Sequence, residues 1–201
     1  MKRIILASAS PRRKELLSRI CASFEVIPSD ADEAFDPSAA CAENVRNIAL
    51  AKALAVVRAG GVAAGDCVVI GADTVVSIDG EPLGKPRDAD DAARMLARLS
   101  GRAHTVFTGY AAVRGSDGKT EAGVEETTVL FRELSGGEIA EYIKTGEPMD
   151  KAGAYGVQGI GAIFITRIEG DYSNVMGLPL CRMALTLRKF GVDILKQKEI
   201  L

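Results

Sequence analysis

Apolar residues along the chain follow both strand-like and helix-like spacings, and together they predict a mixed α/β domain. A nearly continuous apolar run over residues 67–78 indicates a central strand buried on both faces. Further strands are predicted at the start of the chain and at about residues 24–27, 104–114, 121–131 and 162–168. Apolar residues at helical spacing predict helices at about residues 11–20, 39–58, 89–99, 135–145 and 178–190. The pair Gly60-Gly61 is expected to end the second of these helices, and a capping box at Ser135-Gly136-Gly137-Glu138 is expected to start the fourth. A hairpin turn is predicted at Asp79-Gly80.

The first strand leads directly into a helix start that is suited to binding an anion. Ser10 is a good N-cap, and Pro11 fits the first helical position because its missing N–H would be unpaired there anyway. Arg12 and Arg13 follow in the first turn, next to the positive end of the helix dipole. Cationic side chains around free backbone N–H groups predict an anion site, and phosphate is the natural anion.

Asp73 interrupts the apolar run of the predicted central strand. A carboxylate is costly to bury there unless it is paired or functional. The pattern leaves two interpretations open. Asp73 either bonds local backbone in a bend, or it serves as a metal ligand or general base at a strand end, where α/β folds place their sites.

Lysines and a glycine-rich segment add further candidate chemistry. Any one lysine is more often a solvated side chain than a ligand. Three of them, Lys52, Lys85 and Lys151, together with the two arginines favour a phosphate-binding cage. In residues 151–159 small residues let the backbone approach a ligand, and Gln158 offers both a donor and an acceptor. The chain has neither a P-loop lysine pattern nor a GxGxxG motif, so those nucleotide-binding interpretations fail.

Composition narrows the class of protein. The 201 residues carry a formal net charge of −2, which gives no general attraction to nucleic acid or to a membrane surface. No apolar run is long enough to span a bilayer, and the few apolar residues before Ser8 are too short for a signal peptide. Four scattered cysteines are expected to be buried free thiols in a reducing cytosol. His104, the only histidine, is expected to be a structural or a surface residue without a catalytic role.

Taken together, these segments resemble the Maf family of nucleoside triphosphate pyrophosphatases. The matching stretches are Leu6-Ala7-Ser8-Ala9-Ser10-Pro11-Arg12-Arg13, Ile70-Gly71-Ala72-Asp73-Thr74-Val75-Val76, Gly84-Lys85-Pro86-Arg87-Asp88-Ala89, Asp150-Lys151-Ala152-Gly153-Ala154-Tyr155-Gly156-Val157-Gln158-Gly159 and Val175-Met176-Gly177-Leu178-Pro179-Leu180. They occur in family order, so the resemblance covers nearly the whole chain. We expect one Maf-like domain over residues 1–192 and a charged tail over residues 193–201.

The resemblance implies hydrolysis between the α and β phosphates of a nucleotide with the help of a divalent metal, Mg²⁺ or Mn²⁺. It also implies an elongated mixed β-sheet flanked by helices, similar to the inosine triphosphate pyrophosphatase fold, with a cleft between two lobes. By position in the motifs, Asp73 is the expected catalytic residue, with Glu33 beside it at the metal. The expected specificity residues are Arg12, Thr74 and Gln158, and the expected phosphate-binding residues are Ser8, Arg13, Lys52, Lys85 and Lys151.

The Gln158 version of the loop resembles the subgroup that acts on dTTP and UTP. Two alternatives stay open from the sequence. One is the subgroup that acts on 7-methyl-GTP, and the other is a nucleotide-sensing regulator of cell division that binds without turnover. A small-molecule nucleotide is the expected partner, in a cytoplasmic protein that is compatible with a homodimer.

Overall fold

Strands and helices alternate along most of the chain in the computed structural model, which describes residues 2–59 and 66–196. The strands are β1 (Arg3–Leu6), β2 (Glu25–Val26), β3 (Cys67–Ile78), β4 (Glu81–Leu83), β5 (Ala103–Arg114), β6 (Thr120–Phe131) and β7 (Ile165–Glu169). The helices are α1 (Pro11–Ser18), α2 (Cys41–Arg58), α3 (Ala89–Leu99), α4 (Gly136–Lys144), α5 (Tyr172–Met176) and α6 (Leu180–Lys189). Short 3-10 turns cover Glu147–Asp150, Ala152–Ala154, Ile160–Phe164 and Ile194–Lys196.

The strands form one mixed sheet, which confirms the predicted fold class. Its strand order is β2-β1-β3-β5-β6-β7, with β4 paired to β3. Strand β1 runs parallel to β2 and to β3, whereas β4 and β7 are antiparallel to β3 and β6. The predicted turn at Asp79-Gly80 is confirmed, because both residues have positive φ and join β3 to β4.

The chain divides into two compact units. Unit 1 contains residues 1–73, 108–125 and 177–201, and unit 2 contains residues 74–107 and 126–176. Each unit therefore draws on distant parts of the sequence, and the division falls between Asp73 and Thr74 within β3. The expected domain of residues 1–192 and tail of residues 193–201 stay a prediction, and residues 197–201 lie outside the described part.

Unit 1 is built around the contact of α2 with the sheet. An added Cβ at Gly71 of β3 would overlap the carbonyl oxygen of Ala49, and one at Gly109 of β5 would overlap the carbonyl oxygen of Val45. The two glycines therefore let the backbone of α2 lie directly on the strands. Buried apolar side chains from the helix and the strands fill the core around this contact, including Ile5, Ala53, Val56, Val69 and Val113.

Unit 2 packs helix α3 against α4 and carries a buried aromatic cluster. The start of α4 confirms the predicted capping box, since Ser135 Oγ accepts from Glu138 N and Glu138 Oε2 accepts from Ser135 N. In the aromatic cluster, the ring of Phe131 meets those of His104 and Tyr155 edge-on.

Several local predictions were wrong. Residues 162–164 belong to a 3-10 turn, and β7 begins only at Ile165, because the N–H groups at the start of this turn donate to a side-chain carboxylate. The short helix α5 was not predicted. Cys181 is exposed, whereas the other three cysteines are buried as expected, and all four are free thiols. The predicted helix stop at residues 60–61 lies outside the described residues.

The glycine contact generates a stability prediction. Gly71→Ala forces a methyl group into the backbone of α2, which cannot move away as a flexible side chain would. We expect the free energy of unfolding, measured by urea denaturation, to fall by about 1–3 kcal/mol or more.

Gly136→Ala is the matched control, because an added Cβ at that position meets nothing within 4 Å. We expect it to change the free energy of unfolding by less than about 1 kcal/mol. Equal effects of the two substitutions would contradict the close approach of α2 to β3.

Candidate active site

The start of α1 holds a network of hydroxyl groups and one arginine. Ser10 caps the helix by accepting from Arg13 N at 3.5 Å, and its own N–H donates to Ser8 Oγ at 3.2 Å. The side chain of Arg13 donates from Nη1 to Ser8 Oγ at 3.3 Å and from Nε to the carbonyl oxygen of Gly177 at 2.8 Å. The predicted cationic helix start is therefore present, with one guanidinium held by two fixed acceptors.

Electrostatics at Arg13 reflect its partial burial and its neighbours. Burial lowers the pKa of the Arg13 guanidinium, while the negative charges of Asp73 and Glu33 oppose that shift and the positive charge of Arg12 adds to it. Arginine nevertheless stays protonated at neutral pH. This end of α1 therefore presents a permanent positive charge in the vicinity of two carboxylates.

Lys52 is the central side chain of unit 1. It projects from α2 with only 6% of its side chain exposed, and its Nζ lies 2.8 Å from Asp73 Oδ1 and 2.9 Å from Glu33 Oε2. A buried ammonium is costly unless it is paired, and here it has two carboxylate partners. The structure thus brings together three of the predicted site residues, which lie on a helix, a strand and the loop before the helix.

This geometry distinguishes the two interpretations of Asp73, which were a local backbone contact in a bend and a functional carboxylate at a strand end. The residue lies within the continuous strand β3 and pairs with a helix lysine, so the bend that one interpretation required is not present. The Asp73 side chain is 17% exposed, which leaves it accessible at the end of the unit 1 segment of the strand.

Other predicted site residues lie in unit 2. Lys151 Nζ donates to the carbonyl oxygen of Glu147 at 2.7 Å and to Asp150 Oδ1 at 2.6 Å. Gln158 is exposed at the tip of a turn closed by Gly159 N and the carbonyl oxygen of Gly156.

Two further predicted residues, Lys85 and Thr74, also lie in unit 2. Lys85 is exposed in the loop after β4, which is tied to the Lys151 loop because Gly153 N donates to the carbonyl oxygen of Gly84 at 3.0 Å. Thr74 follows Asp73 in β3. In unit 1, Arg12 is partly buried in the first turn of α1.

Glu33 and Asp73 were predicted to hold a divalent metal. Within residues 2–59 and 66–196, no three histidine, cysteine, aspartate or glutamate side chains cluster as a metal site. Mg²⁺, however, is commonly held by one or two carboxylates together with substrate phosphates and water. The oxygen donors of Glu33 and Asp73, which converge on one ammonium, fit that kind of binding and do not fit a metal site made of protein ligands alone.

Sequence reasoning assigned no role to Gly177, whose carbonyl oxygen fixes the Arg13 guanidinium. The only signal was its place in the last of the family-like stretches. Its φ of 114° is one that glycine adopts far more readily than other residues, so the position is restricted by its backbone as well as by its contact.

His104 is a buried structural residue, so of the two roles predicted for it the surface position is wrong. Its Nε2 lies 2.8 Å from the hydroxyl oxygen of Tyr155, and its ring is buried in the aromatic cluster of unit 2. Burial lowers the pKa of His104 to about 4. The imidazole is therefore neutral at physiological pH.

Comparison with known proteins finds sequence relatives that match nearly the whole length of the chain. The family model described as Maf-like protein matches residues 3–190. A dTTP/UTP pyrophosphatase of Moorella thermoacetica is 51% identical over 199 residues, which cover 96% of this chain and 98% of the relative. The chain belongs to the Maf family.

A second sequence relative matches to a similar extent. A dTTP/UTP pyrophosphatase of Symbiobacterium thermophilum is 50% identical, with 96% of this chain and 97% of the relative covered. Among solved structures, the Staphylococcus aureus Ham1 protein matches 65% of this chain and 72% of its own, with 18% identity and a TM-score of 0.46. The family assignment rests on the sequence relatives. No helix in the described part of this Maf protein is long and apolar enough to cross a membrane.

The buried imidazole generates a prediction on pH. The unfolded chain takes up the His104 proton near pH 6.5, but the folded chain does so only near pH 4. The unfolded state therefore binds more protons between these values, and stability falls as the pH is lowered through this window. Between about pH 7 and about pH 5 we expect His104 to account for a loss of about 2 kcal/mol.

His104→Gln, which has no imidazole, is expected to lose correspondingly less stability over the same pH range. Urea unfolding of both proteins at the two pH values measures the difference, and the carboxylates contribute equally to both. Identical losses in the two proteins would show that the buried imidazole does not resist protonation.

Proposed function

We propose that this Maf protein is a nucleoside triphosphate pyrophosphatase that hydrolyses dTTP and UTP to the nucleoside monophosphate and pyrophosphate. Its full-length relatives with that name, at 43–51% identity, support the reaction and the substrates. The observation that carries the proposal is the buried Lys52 ammonium, which holds the Asp73 carboxylate in the same unit as the anion-binding start of α1.

Phosphate binding is assigned to the hydroxyl and cationic groups of the site. A triphosphate carries about four negative charges, and charge builds up around the α phosphorus in the transition state. Ser8 and Arg13 offer fixed donors at the start of α1, and Lys52 has a third N–H besides the two that face carboxylates. The family resemblance also assigns Lys85 and Lys151 to phosphate binding.

Asp73 is assigned the activation of water. Water is a poor nucleophile at neutral pH, and a positioned carboxylate assists by accepting its proton as it attacks phosphorus. Lys52 holds Asp73 Oδ1 and thereby fixes the orientation of the whole carboxylate. We therefore assign Oδ2 of Asp73 as the atom that accepts the proton of the attacking water.

A divalent metal, Mg²⁺ or Mn²⁺, is part of the proposal, with Glu33 and Asp73 as its protein ligands. Such an ion would supply positive charge to the phosphate oxygens and lower the pKa of a bound water. The two carboxylates, together with the oxygens of the triphosphate, give the oxygen-rich surroundings that these ions prefer.

Base selection is assigned to Arg12, Thr74 and Gln158. A carboxamide has one acceptor and two donors, which match the N3–H and the O4 of uracil or thymine. The exposed tip position of Gln158 makes its amide available for this pairing. We also propose the cytoplasm as the compartment, since all four cysteines are free thiols. Homodimer formation stays a prediction.

The first test of this function is pyrophosphate release from dTTP and UTP by the native protein and by Asp73→Asn. The amide cannot accept a proton as a carboxylate does, so we expect kcat to fall about 100-fold or more. Asp66→Asn is the matched control, because Asp66 is exposed and, within the described residues, its carboxylate pairs with Lys2 alone.

A panel that includes GTP and 7-methyl-GTP separates the remaining alternatives. Preference for 7-methyl-GTP would contradict the assigned substrates. Tight nucleotide binding without hydrolysis under any divalent ion would instead favour a regulator. Undiminished release by Asp73→Asn would contradict the role of that carboxylate.

Metal removal gives a second prediction. With only two protein carboxylates and the substrate as ligands, the ion should exchange readily with a chelator. We expect EDTA to stop pyrophosphate release and excess Mg²⁺ or Mn²⁺ to restore it. Full activity in EDTA would contradict the assignment of Glu33 and Asp73 as metal ligands.

A further inference from the structure

The Glu147 carboxylate of unit 2 is surrounded by backbone N–H donors from the loop that carries Gln158. Its Oε2 accepts from Ile160 N at 2.8 Å, and its Oε1 accepts from Gly161 N at 3.0 Å. The hydroxyl of Tyr142 also donates to Oε1, at 2.8 Å. One side chain thus satisfies two backbone donors that follow the Gln158 turn.

Tyr142 extends the same network to the other side of the turn. Its hydroxyl oxygen accepts from Gly156 N at 3.2 Å while its proton is donated to Glu147. The turn from Gly156 to Gly159 is therefore anchored before and after Gln158 by one tyrosine–glutamate pair. The Tyr142 ring is fixed in turn by an edge-on contact with Phe164.

Glycines let the loop close around the carboxylate. An added Cβ at Gly159 would overlap the carboxylate of Glu147, and one at Gly161 would lie 2.7 Å from the Tyr142 hydroxyl oxygen. The backbone therefore approaches these two side chains more closely than a residue with a side chain would allow.

Glu147 also contacts the second functional side chain of the loop. Its carbonyl oxygen accepts from Lys151 Nζ at 2.7 Å, so backbone and side chain of the same residue contact both ends of the segment from Lys151 to Gly161. The family resemblance implies phosphate binding for Lys151 and base recognition for Gln158, but it implies no role for Glu147.

The charge of Glu147 is maintained by its donors. Burial alone raises the pKa of this carboxyl, but the N–H groups of Gly161 and Ile160, the Tyr142 hydroxyl and the charge of Lys151 outweigh it, so the pKa is lowered. Burial, followed by the hydrogen bond to Glu147, raises the pKa of Tyr142. An ionised acceptor therefore faces neutral donors, which gives charge-assisted bonds stronger than neutral ones.

We propose that Glu147, through Tyr142 and the loop N–H groups, is a positioning residue that sets the selectivity of this Maf protein for dTTP and UTP. Gln158 is the residue assigned to the base, whereas Glu147 contacts Tyr142 and the loop that presents Gln158. This inference rests on the proposed function, because it names what determines the substrate of that same site.

The test compares Glu147→Gln with the native protein in steady-state kinetics on dTTP and GTP. The amide keeps the size of the side chain, but its NH₂ group cannot accept from a backbone N–H. We expect the KM for dTTP to rise about 10-fold or more with little change in kcat, since base recognition is lost and the reacting groups stay in place. The ratio of kcat/KM for dTTP over GTP should fall by a similar factor.

Coupling to Gln158 separates positioning from a general loss of structure. In a Gln158→Ala background, Glu147→Gln should change the dTTP over GTP ratio by less than about 2-fold, because the group that it positions is already gone. An undiminished effect in that background, or an unchanged ratio in the single variant, overturns the inference.

Two further variants test whether the effect is specific to the Tyr142–Glu147 pair. Tyr142→Phe removes the hydroxyl that links Glu147 to Gly156 and should lower the ratio in the same direction. Glu141→Gln removes a carboxylate from helix α4, which also carries Tyr142. This carboxylate pairs with Lys144 at the surface, so the substitution should leave the ratio unchanged. An effect of Glu141→Gln as large as that of Glu147→Gln would overturn the specific role of Glu147.

Amide hydrogen exchange tests the positioning without any catalysis. The N–H groups of Gly156, Ile160 and Gly161 should exchange at least about 10-fold faster in Glu147→Gln, because they lose their acceptor network. Unchanged exchange overturns the inference whether or not the protein hydrolyses dTTP. A different outcome is that the native protein releases no pyrophosphate while amide exchange is faster in the variant. That outcome would overturn the proposed function and the role of Glu147 in selectivity, but the anchoring of the loop by Glu147 would stand.

Discussion

The buried ammonium of Lys52 is the interaction on which the candidate active site depends. A lysine with 6% of its side chain exposed has to be compensated by negative charge, and Asp73 and Glu33 supply it within 2.9 Å. The same contact fixes the orientation of the carboxylate that we assign to water activation. Stability and chemistry thus depend on one group, since removing the ammonium would leave two carboxylates facing each other without their shared partner.

That ion pair exists only because the backbone of α2 lies against the sheet. Gly71 and Gly109 remove the side chains that would hold the helix away from β3 and β5. Each turn of α2 then sits at a fixed height above the strands, and Lys52 reaches Asp73 two residues beyond Gly71. A side chain at either glycine would hold α2 away from the sheet, which explains why these small residues occur in strands that are otherwise rich in larger side chains.

Local patterns predicted the elements of this fold, but they did not predict which side chains meet. The strand of residues 67–78, the capped start of α1 and the capping box at Ser135 follow from short-range rules, and the structure confirms them. The pairing of Lys52 with Asp73 and Glu33 joins segments about 20 residues apart, so it depends on tertiary packing. The apolar residues 162–164 were misjudged because their neighbours bond to Glu147, a partner that no local pattern reveals.

A double-mutant cycle on pyrophosphate release from dTTP is the most direct test of the central claim that Lys52 acts through Asp73. Lys52→Met, Asp73→Asn and the double variant are compared with the native protein by kcat/KM. Residues that form one ion pair are non-additive, so we predict that the loss in the double variant is at least about 10-fold smaller than the product of the two single losses. Losses that multiply in the double variant would show that the two residues act independently and would contradict the account.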